Sequence, residues 1–385
     1  MATRYWRKKS LLVKIESTYG QDAVPTGAAN AIAARDVAFT PLELEYENRD
    51  IVRPYLGHQE QIVVTAHARL AFACEIAGSG TAGTPPAWGP LLRASGCSEL
   101  ALGTAHAGTA QAGGASTITL ANTASGSDGA YRGMRIRLTG GTGAGQARII
   151  AAYDGASKVA TTSEAWTTPP DATTQYSIDA QVVYQPVSEA FESATVYFNM
   201  DGKRHVMLGA RASVQLRLNA RSLPLFQFEF TGLVGVTTDT ALPTDVFTAW
   251  QPPLAVNNAQ TSGFALHGFG ARLYGLEMNL ANQLVYRNLV GAEDVQITDR
   301  APAGTVTIED PTIAERDYFT RVREAQTGAL NLLHGITPGN RVHVHAPAVQ
   351  LTQPRYENRD SVIALALAAR FVPHLGDDEL SIQAL

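Results

Sequence analysis

The chain has 385 residues, 45% of them hydrophobic and 17% charged, which excludes a disordered polymer and leaves room for two or three cores. A formal net charge of −5 excludes nucleic-acid binding through an overall basic surface. Two cysteines, Cys74 and Cys97, are too few for a disulfide scaffold and are expected as small buried apolar residues.

The N-terminal stretch carries Arg4, Arg7, Lys8 and Lys9, but only Leu11, Leu12 and Val13 follow before Lys14. That is too short for the apolar region of a signal peptide, and no run approaches the ~18 apolar residues of a membrane span. The chain is therefore expected to be made and kept in the cytosol. Leu42, Leu44 and Tyr46 alternate with Glu43, Glu45 and Glu47, and a longer alternation runs from Ile62 to Ile76. Such alternation predicts antiparallel strands with one apolar and one polar face. A short helix is predicted over Trp88 to Cys97, opened by Pro85, Pro86 and Pro90.

From about 103 to 181 the composition shifts to Gly, Ala, Ser and Thr. Short strands are predicted at Ser116–Leu120, Met134–Leu138, Ala147–Tyr153 and Lys158–Thr161, separated by the turn signals Asp128-Gly129, Gly140-Gly141 and Asp154-Gly155. This segment has the marks of a small β domain inserted at an exposed loop and projecting outward. Beyond it, strands are predicted over His205–Asn219 and Leu225–Phe230, and a second helix over Ile313–Gln326.

The chain also echoes itself. Leu42-Glu43 followed by Asn48, Arg53 and Gly57 recurs as Leu276-Glu277 followed by Asn282, Arg287 and Gly291, at a constant offset of 234 (276 − 42 and 291 − 57). The turn Asp201-Gly202-Lys203-Arg204 is echoed by Pro338-Gly339-Asn340-Arg341, and Val214-Gln215-Leu216 by Val349-Gln350-Leu351. The expected fold is mainly β. Two duplicated antiparallel sandwich or barrel units, each with one short helix, would occupy 1–102 with 182–245, and 246–385. The inserted small β domain would occupy 103–181.

No catalytic, cofactor or metal set stands out. Gly140 to Gln146 is rich in glycine, but neither lysine nor helix follows, so it is expected as a hairpin loop and not a phosphate cradle. His343 and His345 share a strand face without a third ligand and are expected as polar decoration of a sheet. Asp377-Asp378-Glu379 lacks the spacing of a calcium loop and is expected as a solvated turn. What remains is the stretch that follows each Leu-Glu strand, Glu47 to Glu60 and Ala281 to Glu293. A mixed polar and apolar loop of this length is uncommon without a role, and its recurrence predicts a docking arm. The contact residues expected in the first arm are Glu47, Asn48, Arg49, Asp50, Arg53, Tyr55 and Leu56. In the second they are Asn282, Arg287, Leu289, Val290 and Glu293.

Several of these segments resemble the major tail proteins, or tail tube proteins, of long-tailed phages. The resemblance rests on Leu11 to Glu16, Tyr19-Gly20, Pro25-Thr26-Gly27, Pro41 to Leu44 with Glu47 to Asp50, and Trp88 to Leu92. It implies a structural virion protein, not an enzyme, assembled in the host cytoplasm into stacked rings around a lumen for genome ejection. The arms would be inter-ring loops. Two fused units would give homotrimeric rings of pseudo-sixfold symmetry. The implied partners are the chain itself, the tape measure protein and DNA in the lumen, and the tail terminator and distal tail proteins at the ends. The alternatives are a baseplate hub or tail-terminator protein of related fold, or a carbohydrate-binding β-sandwich.

Overall fold

Alternation of apolar and polar side chains is the dominant local signal, and it becomes strand throughout. The computed structural model describes residues 3–385, so the first two positions of the expected first unit lie outside it. The first half of the chain forms β1 (Lys9–Ile15), the helical turn α1 (Gly27–Asn30), β2 (Ala34–Asn48), β3 (Gln61–Glu75), α2 (Gly89–Ala94) and β4 (Cys97–Leu102). After the insertion come β12 (Gln181–Pro186), β13 (Ala194–Met200), β14 (Lys203–Asn219), β15 (Leu225–Val234) and β16 (Thr238–Asp239). The insertion holds β5 (His106–Thr109), β6 (Ala112–Gly113), β7 (Thr117–Thr119), β8 (Arg135–Gly140), β9 (Ala147–Asp154), β10 (Val159–Thr162) and β11 (Gln175–Ile178). The remainder forms β17 (Thr261–Leu266), β18 (Leu273–Asn279), β19 (Asn282–Leu289), β20 (Ala292–Arg300), β21 (Ala303–Glu309), α3 (Tyr318–Arg323), β22 (Thr327–His334), β23 (Val342–Arg359), β24 (Val362–Val372) and β25 (Ser381–Ala384).

Six strands of the first half pair in the order β1-β13-β14-β15-β3-β2. Six strands of the second pair in the order β17-β22-β23-β24-β21-β18. Every pairing is antiparallel, and each path visits its strands in the same sequence order. The rows match as well. From Glu43 the register leads through His67 and Leu233 to Leu208, beside the bulge that ends at Arg211. From Glu277 it leads through Thr305 and Ala368 to Thr352, beside the bulge that ends at Arg355. Glu43 and Glu277 stand 234 residues apart, the offset of the repeated motif. The turns at Gly202 and Gly339 both place glycine at positive φ, 91° and 84°. The Val-Gln-Leu echo is different: Val214 lies past the bulge of β14, whereas Val349 lies before that of β23, so these triplets are not in equivalent rows.

The two paths are welded into one sheet where β14 pairs with β18, Gln215 opposite Asn279 and Asn219 opposite Gly275. One face of this sheet is apolar: Leu70, Phe72, Val214, Leu216, Phe226, Phe228, Leu276, Val306 and Leu367 all join one core. Trp88, at the start of α2, packs in that core against Tyr184 and Phe226 and donates its indole N–H to Ala77 O at 2.7 Å. The other face is polar or small, and one row reads Ala73, Gln227, Gln215, Asn279, Ala303, Arg370 across both halves.

The insertion forms its own seven-stranded sheet over a separate core that includes Ile118, Met134, Ile136, Tyr153 and Tyr176. The Gly140 to Gln146 segment is the connection between β8 and β9. Its stalk strands β4 and β12 are woven into the main sheet beside β25. Gln383 Nε2 donates to Gly133 O at 2.7 Å and Arg132 to Gly376 O at 2.6 Å, so the insertion is tied to the second half.

Three expectations are corrected. The second helix is only six residues, Tyr318–Arg323, because Asp317 caps it by accepting from Thr320 N–H at 2.9 Å. His343 and His345 are not surface decoration: they are buried between the neighbouring strands, near Gln383 Oε1 (3.0 Å) and Asn331 Oδ1 (2.9 Å), and share a cavity with Arg135, Arg148 and Ile149 of the insertion. Asp377-Asp378-Glu379 is not a solvated turn either. Arg300 reaches both Asp377 and the buried Glu379, while Asp378 accepts from His374 and Leu375 N–H. Cys74 and Cys97 are free and buried.

Candidate assembly interface

Both predicted arms leave the sheet as continuations of paired strands, but they differ in what they touch. The first, between β2 and β3, has no regular structure over its middle. Its limbs are clasped by side chains: Gln61 Nε2 donates to Asn48 Oδ1 at 2.7 Å, and Arg49 pairs with Glu60. Ile51 N–H donates to Gln59 Oε1 at 2.8 Å while Gln59 Nε2 returns a bond to Ile51 O at 2.7 Å. Beyond that clasp Arg53 lies 6.0 Å from the Tyr55 ring, and Val52, Tyr55 and Leu56 are open to solvent. Glu47 and Asp50 are exposed.

The second arm is a hairpin, not a loop, formed by β19 and β20. Gly291, at φ 91°, makes its tight turn beside the exposed Leu289 and Val290. Arg287 holds Asp294 through two bonds of 2.8 and 2.6 Å, which keep the Asp294 carboxyl below its usual pKa range. Tyr286 donates to Glu293 at 2.6 Å. At the base, Asn282 Nδ2 donates to Ser95 O at 2.6 Å and Ala212 O at 2.9 Å. Of the predicted contact residues, Asn282 therefore joins the two halves, Arg287 and Glu293 brace the hairpin, and Leu289 and Val290 form its free tip.

The second arm also lies across the first half. Tyr286 stacks on His67 with centroids 4.9 Å apart. Arg211 donates to Val295 O at 2.7 Å and to Phe191 O at 2.9 Å, and Val295 N–H donates to the Tyr19 hydroxyl at 2.6 Å. Gly209 sits at φ 55°, where a Cβ would stand 2.6 Å from the Tyr19 ring. Sequence reasoning missed His67, Arg211 and Tyr19. Only Tyr19 carried a signal, inside the Tyr-Gly pair of the resemblance; the other two lie in strands whose partners are far away in sequence.

Two long stretches of strand edge are open. The sheet path ends at β2, whose outer side has no partner among the described residues. Past Gln350, β23 is paired only on the β24 side. Open edges of this length, next to exposed apolar side chains, define a building block for self-association. The family model for phage tail tube protein matches residues 6–367, and the chain belongs to that family: it is a structural component of a bacteriophage tail. No curated protein matches the chain. No helix among the described residues is long and apolar enough to cross a membrane.

Proposed function

We propose that three copies of the chain close into a ring of six similar sectors, and that these rings stack into the tube through which the genome leaves the virion. The observation that carries this reading is the shared strand path of the two halves together with their weld at β14–β18. Two sectors of a ring would meet in the same way, so the chain is a dimer of duplicated units fused end to end. The exposed tips at Val52, Tyr55 and Leu56, and at Leu289 and Val290, are the surfaces that reach the next ring.

The polar face of the welded sheet lines the lumen. It carries Glu75, Glu229, Glu277 and Glu309 against Arg69, Arg217 and Arg370, with alanine and threonine between. Such a wall gives DNA phosphates no cationic track, so the genome and the tape measure protein slide without the salt-dependent adhesion of a basic channel. The tail terminator and distal tail proteins would cap the two ends, and the insertion would face outward. Electron microscopy of the concentrated protein tests the reading. Hollow stacked rings with three chains each are expected. Six full chains per ring would overturn the stoichiometry. A protein that stays monomeric and is a minor band in virions would overturn the tube, leaving a hub or terminator role.

A further inference from the structure

The weld inside the chain is an observed example of one half meeting the next. There Leu218 is 2% and Leu276 0% exposed, and Arg217 bonds Glu277 across the line of contact. The outer side of β2 and the part of β23 past Gln350 each present one edge of that weld without its mate. β2 holds beside β3 the place that β18 holds beside β21. β23 holds beside β24 the place that β14 holds beside β15. The bare edges carry the exposure that the weld removes: Leu42 is 52%, Tyr46 50% and Tyr356 63% exposed.

Resting on the ring reading above, we propose that the outer edge of β2 pairs antiparallel with the open edge of β23 in a second copy of this chain, with Glu45 directly opposite Arg359. The matched rows give the register. Leu208 and Thr352 occupy equivalent rows, 144 apart (352 − 208), which makes Arg359 the counterpart of Gln215. Glu43 and Glu277 are 234 apart (277 − 43), which makes Glu45 the counterpart of Asn279. Gln215 and Asn279 face each other in the weld, so Arg359 and Glu45 face each other between copies.

Because Arg359 is the last residue of β23, that register sets Tyr46, Glu47 and Asn48 against Asn358, Glu357 and Tyr356. Arg359 already bonds Glu357 at 2.8 Å, so across the seam it is the one cation between Glu45, Glu47 and Glu357. Tyr46 comes to lie diagonal to Tyr356, covering two of the most exposed aromatic rings of the sheet. The pairing is head to tail, so it leaves one edge of each kind free until a ring closes.

The test is charge exchange. Glu45→Arg and Arg359→Glu are made singly and together, and assembly is followed by light scattering and electron microscopy beside the wild type. Each single variant is expected to lose most of its rings, and the double variant to recover them. Both positions are exposed, so thermal melts should match the wild type and exclude misfolding. A second variant, Glu45→Cys with Arg359→Cys, should give covalent multimers on oxidation, because opposed strand residues meet the Cα separation of a disulfide. Wild-type tubes with unaffected single variants, or a double variant that neither recovers nor cross-links, would overturn this seam while leaving the tube intact. A wild type that forms no ring under any condition removes the tube reading and the seam with it.

Discussion

Arg217 on β14 donates to Glu277 on β18 with Nη2 and Oε1 2.9 Å apart, an ion pair that spans the line where the two halves of the chain meet. Both side chains are more than a third exposed, at 40% and 34%. Solvent therefore screens the pair, and its role is to fix the strand register more than to supply stability. In a double-mutant cycle of Arg217→Ala and Glu277→Ala, the coupling energy from urea unfolding should be about 0.2–1 kcal/mol. A coupling of several kcal/mol would mean that the pair is desolvated in the monomer.

His343 and His345 are buried where the insertion, with Arg135, Arg148 and Ile149, faces β23, and burial pushes their pKa values down to about 4 and about 3. In the unfolded chain both titrate near the ordinary value of about 6.5. The folded state thus stays neutral where the unfolded state binds protons. Stability is intact above about pH 6.5 and falls as the pH drops toward 4 and 3, by up to about 1.4 kcal/mol per pH unit for each histidine. Urea midpoints measured from pH 7 to pH 4 should fall steeply in the wild type. The fall should be shallower in a His343→Gln, His345→Gln double variant.

Replacing Gly103 to Ala180 with a short Gly-Ser linker should leave rings and tubes that are smoother in outline, because the insertion has its own core. The lost contacts of Gln383 and Arg132 should lower the melting temperature by several degrees without unfolding the rest. Loss of tubes with the remaining sheet still folded would make the insertion a structural contact between copies.

Ring membership can be read from parity. Mixed in equal amounts, the Glu45→Arg and Arg359→Glu variants complement only by alternating. An even-membered ring can close in that way and a three-membered ring cannot. The mixture should therefore give open chains or rings of an even number of copies, while the double variant alone closes normally. Native mass spectrometry separates these outcomes, and closed trimers from the mixture would refute the alternation.

Much of this fold was written in the alternation of short segments. The polar positions Gln215 and Arg217 and the apolar positions Leu216 and Leu218 fall on opposite faces, as a period of two requires. The repeated Leu-Glu motif falls on corresponding rows of the two strand paths, at Glu43 and Glu277. Local pattern failed where a distant strand decides the environment. His343 and His345 look like sheet decoration until the insertion brings Arg135, Arg148 and Ile149 against their face. Glu379 looks solvated until Arg300 arrives from 79 positions away. The Val-Gln-Leu echo does not mark equivalent rows: with matching bulges in both strands, Val214 corresponds to Asn358 (214 + 144), nine positions beyond Val349, because a three-residue apolar-polar-apolar pattern recurs anywhere along a strand. The arms were found as sequence, but that the second lies folded over the first half depends on Arg211 and Tyr19. Neither is near it in the chain.

The stalk of the insertion has a consequence for timing. Tyr184 on β12 pairs with Ile382 on β25, 198 positions later (382 − 184). At a synthesis rate of roughly 5–20 residues per second, β12 waits on the order of 10–40 s for its neighbour. The β18 edge that completes β14 emerges well before then, at residues 273–279. A nascent chain thus welds its own two halves before the strand that seals them exists. The intramolecular mate is on hand while another copy is still on another ribosome, so order of emergence favours correct self-pairing over premature polymerisation.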